Sequence, residues 1–313
     1  MREELIVSGR MNPEIDPILE IWGWEIPFYL FVGGLAAGIL FFAALYTLLG
    51  KDKEYRTATR ISPFLVPFLI IIGLGALMMD LKHLPYAWQL YTTIKLQSPM
   101  SWGAWTLMII TPLSIAWAAI HIRELFPNWD WKYPWLKALE AFLNENKKIF
   151  AWILVVLSLI LGVYTGILFS AFNARPLWNT SILGPLFLTS GLSAGAAVTI
   201  ILSKNPVERK LFARIDIIVI AIELFLIIHM FMGFMASTAV QIEAANLFLG
   251  GEYTAVFWIF VVFLGMLVPA FLEILELRGY HIPTLIPVIL VLLGSLMLRF
   301  IITFAGQETR YLY

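Results

Sequence analysis

Apolar residues in this chain do not alternate with polar ones. They come in long, nearly unbroken runs separated by short polar stretches. Runs of about 18 apolar residues or more are long enough to cross a bilayer as helices. Eight are legible, at about 24–49, 61–79, 101–120, 149–169, 182–202, 211–235, 254–275 and 283–304. The pattern predicts an all-α polytopic membrane protein: a polar surface arm over 1–20, a first four-helix bundle over 21–180 and a second over 181–313. An amphipathic connection is expected over 86–100, and a polar loop with its own helical piece over 123–148. The first 20 residues lack an apolar core, so the first span is expected to act as its own insertion signal.

Composition narrows the chemistry. The chain has 313 residues, 60% hydrophobic and 13% charged, with 23 Phe and 12 Trp, as suits lipid-facing surfaces and interfacial aromatic belts. Its net charge of zero gives no pull toward nucleic acid. It has no cysteine, which argues against iron–sulfur clusters, thioether-linked haem, disulfides and thiol catalysis on this chain.

Most lysines and arginines lie in the loops after the odd-numbered spans, and the loop after span 6 has none. Because basic loops stay in the cytoplasm, both termini are expected outside, together with the start of span 1. A five-residue echo, GLAAG at 34–38 and GLSAG at 191–195, suggests two halves related as a parallel repeat. Such small-xxx-small motifs also recur in polytopic proteins simply as packing surfaces.

The outward end of the first half collects an unusual set of side chains. Glu25 and Tyr29 sit one helical turn apart at the start of span 1, and Asp80 and His83 stand at the end of span 2. Ser98, Trp102 and Trp105 open span 3. Tyr164 lies near the end of span 4, with Arg175, Trp178 and Asn179 just beyond. Acids, an imidazole, a phenol and flat aromatic walls at one membrane boundary suit a quinone head group, which takes hydrogen bonds and exchanges two protons. Each residue also has an ordinary reading: Asp80 and His83 as a helix cap pairing with Lys82, the tryptophans as interfacial belt, Arg175 as a lipid-phosphate anchor.

A deeper set comprises Asp216 and Glu223 on span 6, Glu273 on span 7 and Arg299 on span 8. Ionisable residues inside a bilayer are costly and are functional candidates by default. These form either a proton relay or pairs with Arg299 and buried hydroxyls. Among the four histidines only His121 and His281 are level-matched, and both fall at span ends, so a b-type haem is not expected.

Five blocks in order, WGWEIPFYLFVGGLAAG (22–38), DLKH (80–83), SPMSWGAW (98–105), VYTGILFSAFNARPLWN (163–179) and PLFLTSGLSAGAA (185–197), resemble the polysulfide reductase membrane-subunit, or NrfD-like, family. Spans 6 to 8 match it only in length and character. The resemblance implies a haem-free eight-helix anchor in the cytoplasmic membrane. It implies an oxidoreductase subunit that oxidises menaquinol or ubiquinol and passes electrons to an extracytoplasmic four-cluster ferredoxin-like iron–sulfur subunit. Beyond that partner lies a molybdopterin catalytic subunit. By family position Tyr164 matches a tyrosine that contacts the quinone. Tyr29 stands where one relative has a histidine at the quinone, and Ile26 where that relative has an asparagine; Glu25 or His83 could supply the missing group. The reading gives Glu25, Asp80, His83 and Tyr164 catalytic roles, and Tyr29, Trp102, Arg175, Trp178 and Asn179 roles in binding the quinone. The alternatives are a subunit of a larger quinol-oxidising complex with cytochromes, a transporter, and a purely structural anchor.

Overall fold

The computed structural model describes residues 22–311, and the arm expected over 1–20 lies outside them. Among the described residues eight helices are long and apolar enough to cross a membrane: α1 (Glu25–Leu48), α2 (Thr57–Asp80), α3 (Pro99–Ile120), α4 (Lys147–Ser170), α5 (Leu183–Leu202), α6 (Pro206–Met235), α7 (Thr254–Leu277) and α8 (Leu285–Glu308). No strand occurs among the described residues. A spanning helix satisfies its own backbone, which an apolar surround with no water demands.

Several boundaries differ from the sequence expectation for identifiable reasons. α2 starts at Thr57 because the buried Glu208 carboxylate accepts hydrogen bonds from the Thr57 and Ala58 amides, at 3.3 and 2.8 Å. α6 starts at Pro206, where proline loses nothing by lacking an amide hydrogen. The Asn205 side chain caps it by accepting from the Val207 amide at 3.0 Å. With 30 residues α6 is about 45 Å long, more than the hydrocarbon layer needs, so its charged first turns extend beyond it.

α1 and α5 are the two most buried spans. α1 packs on α2, α4, α5 and α8, while α5 packs on α1, α4, α6 and α8, so one hydrophobic core runs through both halves. The GLAAG and GLSAG motifs meet each other at this crossing. A β-carbon on Gly191 would stand 2.6 Å from the Gly34 carbonyl oxygen, and one on Gly195 would stand 2.6 Å from the Gly38 carbonyl carbon. The backbones touch, as only glycine permits.

Arg299 fills the notch beside this crossing and is fully buried. It donates to the carbonyls of Leu30 (3.2 Å) and Phe187 (3.1 Å), to Ser190 Oγ (3.0 Å) and to the carbonyl and hydroxyl of Ser295 (2.7 Å each). Leu30 lies four residues before Gly34 and Phe187 four before Gly191. One guanidinium thus ties equivalent carbonyls of the two halves.

Candidate functional site

The N-terminal ends of α1, α3, α5 and α7 share one face with the C-terminal ends of the even-numbered helices. At this face the first turn of α1 places Glu25 where free backbone amides favour a carboxylate. One turn deeper Tyr29 is buried, its ring 3.6 Å from where a β-carbon on Gly73 of α2 would stand. Asp80, half-buried at the end of α2, lies within electrostatic reach of Glu25 and Lys82. Tyr29 in turn lies within reach of Tyr164 and Tyr91.

Tyr164 is buried near the end of α4, and its ring occupies the space where Gly103 of α3 would otherwise carry a side chain. Any β-carbon at Gly103 would overlap the phenol. Beside this pair opens a cleft of about 610 Å³ lined by Leu96, Gln97, Pro99, Trp102, Tyr164 and the apolar residues Leu159, Ile160, Val163 and Ile167. Trp102 is fixed by an indole bond to the Leu96 carbonyl at 2.8 Å. Trp102, Ile160 and Ile167 are all exposed on the outer surface of the bundle, so the cleft opens sideways, where lipid would lie. An apolar slot with a phenol, a carboxamide and an indole wall suits a flat ring with oxygen substituents and an apolar tail.

His83 is placed elsewhere. It lines a second cleft of about 560 Å³ with Lys82, Tyr86, Lys95, Ser98 and Ser101. Along 95–102, Lys95, Ser98, Met100 and Ser101 line this cleft, while Leu96, Gln97, Pro99 and Trp102 line the Tyr164 cleft. The connecting segment therefore stands between His83 and Tyr164, and the two do not share a pocket. Trp105 is half-buried on α3 and lines neither cleft.

Arg175, Trp178 and Asn179 also line neither cleft. Arg175 donates to the carbonyls of Gln307 (2.6 Å) and Thr309 (2.9 Å), and Asn179 donates to the Tyr311 hydroxyl at 3.0 Å. The Trp178 indole is buried on Gly306, bonds the Ile302 carbonyl at 2.8 Å, stacks on Trp22 and packs against Phe169. These three fasten the α4–α5 loop to the end of α8.

The deeper set does converge. Asp216, Glu223, Glu273 and Arg299 are each at most 3% exposed. Ser193 donates to Asp216 Oδ1 at 2.5 Å, Glu273 lies beside Asp216, and Glu223 lies within reach of Arg299 and Asp216. Asp216, Glu223 and Glu273 each keep one carboxyl oxygen without a hydrogen-bond partner. This polar track runs from the α6–α7 contact to the Arg299 notch.

On the opposite face His121 caps α3, buried against the Trp117 ring, with its Nδ1–H donating to the Trp117 carbonyl at 2.9 Å. Burial, helped by the neighbouring Lys147 charge, pushes its pKa down to about 4. His281 is exposed in the α7–α8 loop, and His229 is exposed on α6 against Phe225. Among the described residues no group of three or more metal-binding side chains clusters.

Sequence reasoning overlooked Gly103, Gln97, Tyr91 and Glu208. Of these only Gly103 carried a local signal, as one of the two small residues between the tryptophans of SWGAW.

An eight-helix membrane protein with a lipid-facing cleft at one end and a buried polar track behind it is the class that these features define. The chain belongs to the NrfD family, described as polysulphide reductase, NrfD, which it matches over residues 11–310. It is 31% identical to protein NrfD of Escherichia coli over 304 residues, covering 92% of this chain and 96% of that protein. It is 27% identical to one of the polypeptides of polysulfide reductase from Wolinella succinogenes, over 92% of this chain and 94% of that one. A shorter likeness, 24% identical over 58% of this chain and 47% of the other, links it to a subunit of selenate reductase from Mesobacillus selenatarsenatis.

Proposed function

We propose that this chain is the quinol-oxidising membrane subunit of a respiratory reductase. The observation that carries the reading is the Tyr164 cleft: a phenol seated on Gly103, flanked by Gln97 and Trp102, in an apolar slot open toward lipid. Two relatives are named as parts of a polysulfide and a selenate reductase, which supports a role within a larger reductase complex.

On this reading a menaquinol or ubiquinol enters sideways from the membrane with its head group at Tyr164. Oxidation of one quinol releases two electrons and two protons. The Tyr164 hydroxyl and the Gln97 carboxamide hold its oxygens, and Trp102 walls the ring. Glu25 and Asp80, at the aqueous edge behind Tyr29, receive the protons. The electrons pass to an iron–sulfur subunit docked on the same face, and from there to a molybdopterin subunit. The basic loops on the opposite side support placing this face outside the cytoplasmic membrane. Arg175, Trp178 and Asn179 hold the scaffold of that face rather than the quinol.

The test is Tyr164→Phe in the assembled complex. We expect quinol-dependent reduction to fall by tenfold or more, while electron transfer from an artificial donor to the catalytic subunit persists. Unchanged quinol turnover would remove Tyr164 from the site. Mass spectrometry of the complex purified in mild detergent identifies the partners. Multihaem cytochromes in place of iron–sulfur and molybdopterin subunits would assign the protein to a different quinol-oxidising complex.

A further inference from the structure

The connection between α3 and α4 contains a helix of 12 residues, Pro134–Glu145, too short to span the membrane. Leu143 is its one buried residue. Trp135, Leu139 and Phe142 are 63%, 44% and 55% exposed, and Phe126 and Trp129 just before the helix are 56% and 41% exposed.

Nine of the 12 residues of this helix fall in three sectors, with Pro134, Ala138 and Glu145 about 280° round. At about 100° per residue, Trp135, Leu139 and Phe142 share one direction; Leu136, Glu140 and Leu143 lie about 100° round from it; Lys137, Ala141 and Asn144 lie about 200° round. The middle sector packs on the protein, being the less exposed. The bare apolar stripe and the polar stripe therefore point in nearly opposite directions, with the protein between them. That arrangement fits a helix lying flat against a bundle at a boundary between oil and water.

Two further observations identify the oil as lipid. The Phe142 ring meets Phe150 of α4 at 6.2 Å, and the neighbouring Ile149 and Trp152 are 59% and 62% exposed on that span. The apolar stripe is thus continuous with the lipid-facing surface of α4. Two of the nearby carboxylates are also paired: Asp130 with Lys137 at 2.7 Å, and Glu140 with Arg123 and the Trp131 indole. Pairing lowers the cost of placing them beside a medium of low dielectric.

We propose that Pro134–Glu145 lies in the bilayer interface on the basic face, with Trp135, Leu139 and Phe142 in the acyl boundary and Lys137 and Asn144 in water. It would fix the depth and tilt of α3 and α4, whose opposite ends form the Tyr164 cleft. The absence of native cysteine makes the test direct. The full-length protein, carrying single Leu139→Cys, Asn144→Cys or Trp152→Cys substitutions, is labelled with a nitroxide and reconstituted in phosphatidylcholine–phosphatidylglycerol vesicles. Collision with oxygen and with a water-soluble nickel chelate is then measured. We expect the Leu139 label to match the Trp152 label, favouring oxygen over nickel, and the Asn144 label to favour nickel. A Leu139 label open to nickel would overturn the proposal. So would one shielded from both reagents, which would mark a protein contact, either a second copy or another membrane protein.

Discussion

Gly103 decides where Tyr164 can sit, because any side chain there would enter the space that the phenol holds. Gly103→Ala should push the ring out of register while removing none of the polar groups of the cleft. Displacements of about 1 Å at a reacting centre can cost about a hundredfold in rate. We therefore expect quinol-dependent kcat/KM to fall by about tenfold to a hundredfold, measured against a water-soluble donor as control. A Gly103→Ala complex with unchanged kinetics would show that the position of Tyr164 does not matter. His121 allows a pH test. Its folded pKa of about 4 lies below the ordinary 6.5, so between those values the unfolded chain binds more protons. The contribution is whole above about pH 6.5 and is lost as pH falls toward 4, amounting to about 3 kcal/mol. Melting in detergent at pH 7.5 and pH 5 should show a larger drop for the parent protein than for His121→Gln, and equal drops would remove His121 as the cause. Residues of this kind separate what the sequence discloses from what it hides. That Tyr164 and His83 lie at the same end of the bundle is legible from the order of the spans. That the 95–102 segment stands between them is not, because that depends on which side of an irregular stretch each residue faces.

At the scale of elements the sequence is more informative. α1 and α7 begin within a residue of where the apolar runs predict, since a span must bury its backbone and its length is set by the bilayer. α2 begins four residues before its predicted start because Glu208, 150 residues away, caps it. No local pattern announces such a contact. The crossing of α1 and α5 was visible as an echo of five residues, yet the sequence left open whether it meant a repeat or packing, and the structure shows the two copies packed on each other. Replacing Gly38 by Val would drive a side chain into the Gly191 backbone, whereas a β-carbon at Gly33 meets nothing within 4 Å. Gly38→Val should abolish recovery of the folded protein, and Gly33→Ala should be recovered as well as the parent. Arg299 can be examined by a double-mutant cycle. The guanidinium bonds carbonyls and Ser hydroxyls, and the buried Glu223 lies within its electrostatic reach without forming an ion pair. Arg299→Leu should therefore lower the melting temperature sharply, and adding Glu223→Gln should recover part of the loss. Strictly additive losses would mean that Arg299 serves only the backbone carbonyls and Ser hydroxyls around it.

Across the whole molecule the two halves share a packing device but not their chemistry. The offset that maps Gly34 onto Gly191 maps Glu25 onto Ile182 and Tyr29 onto Leu186, while Asp216 and Glu223 map back onto Thr59 and Val66. The cleft thus belongs to the first half and the buried carboxylates to the second, and the Arg299 notch is where the two meet. Which compartment the cleft serves then depends on the orientation of the whole bundle. The basic residues favour the α1 C-terminal face as cytoplasmic, through a bias that acts during insertion and is independent of the cleft itself. The absence of native cysteine again permits a clean measurement. Asn173→Cys, exposed in the α4–α5 loop on the cleft face, should react with a membrane-impermeant maleimide in intact cells. Lys204→Cys, exposed in the α5–α6 loop on the basic face, should react only after the membrane is permeabilised. The opposite pattern would turn the Tyr164 cleft toward the cytoplasm, and with it the surface proposed to receive the electron-accepting partner. On the proposed reading, protons received by Glu25 and Asp80 would then be released inside rather than outside, which would reverse the energetic consequence of the same chemistry.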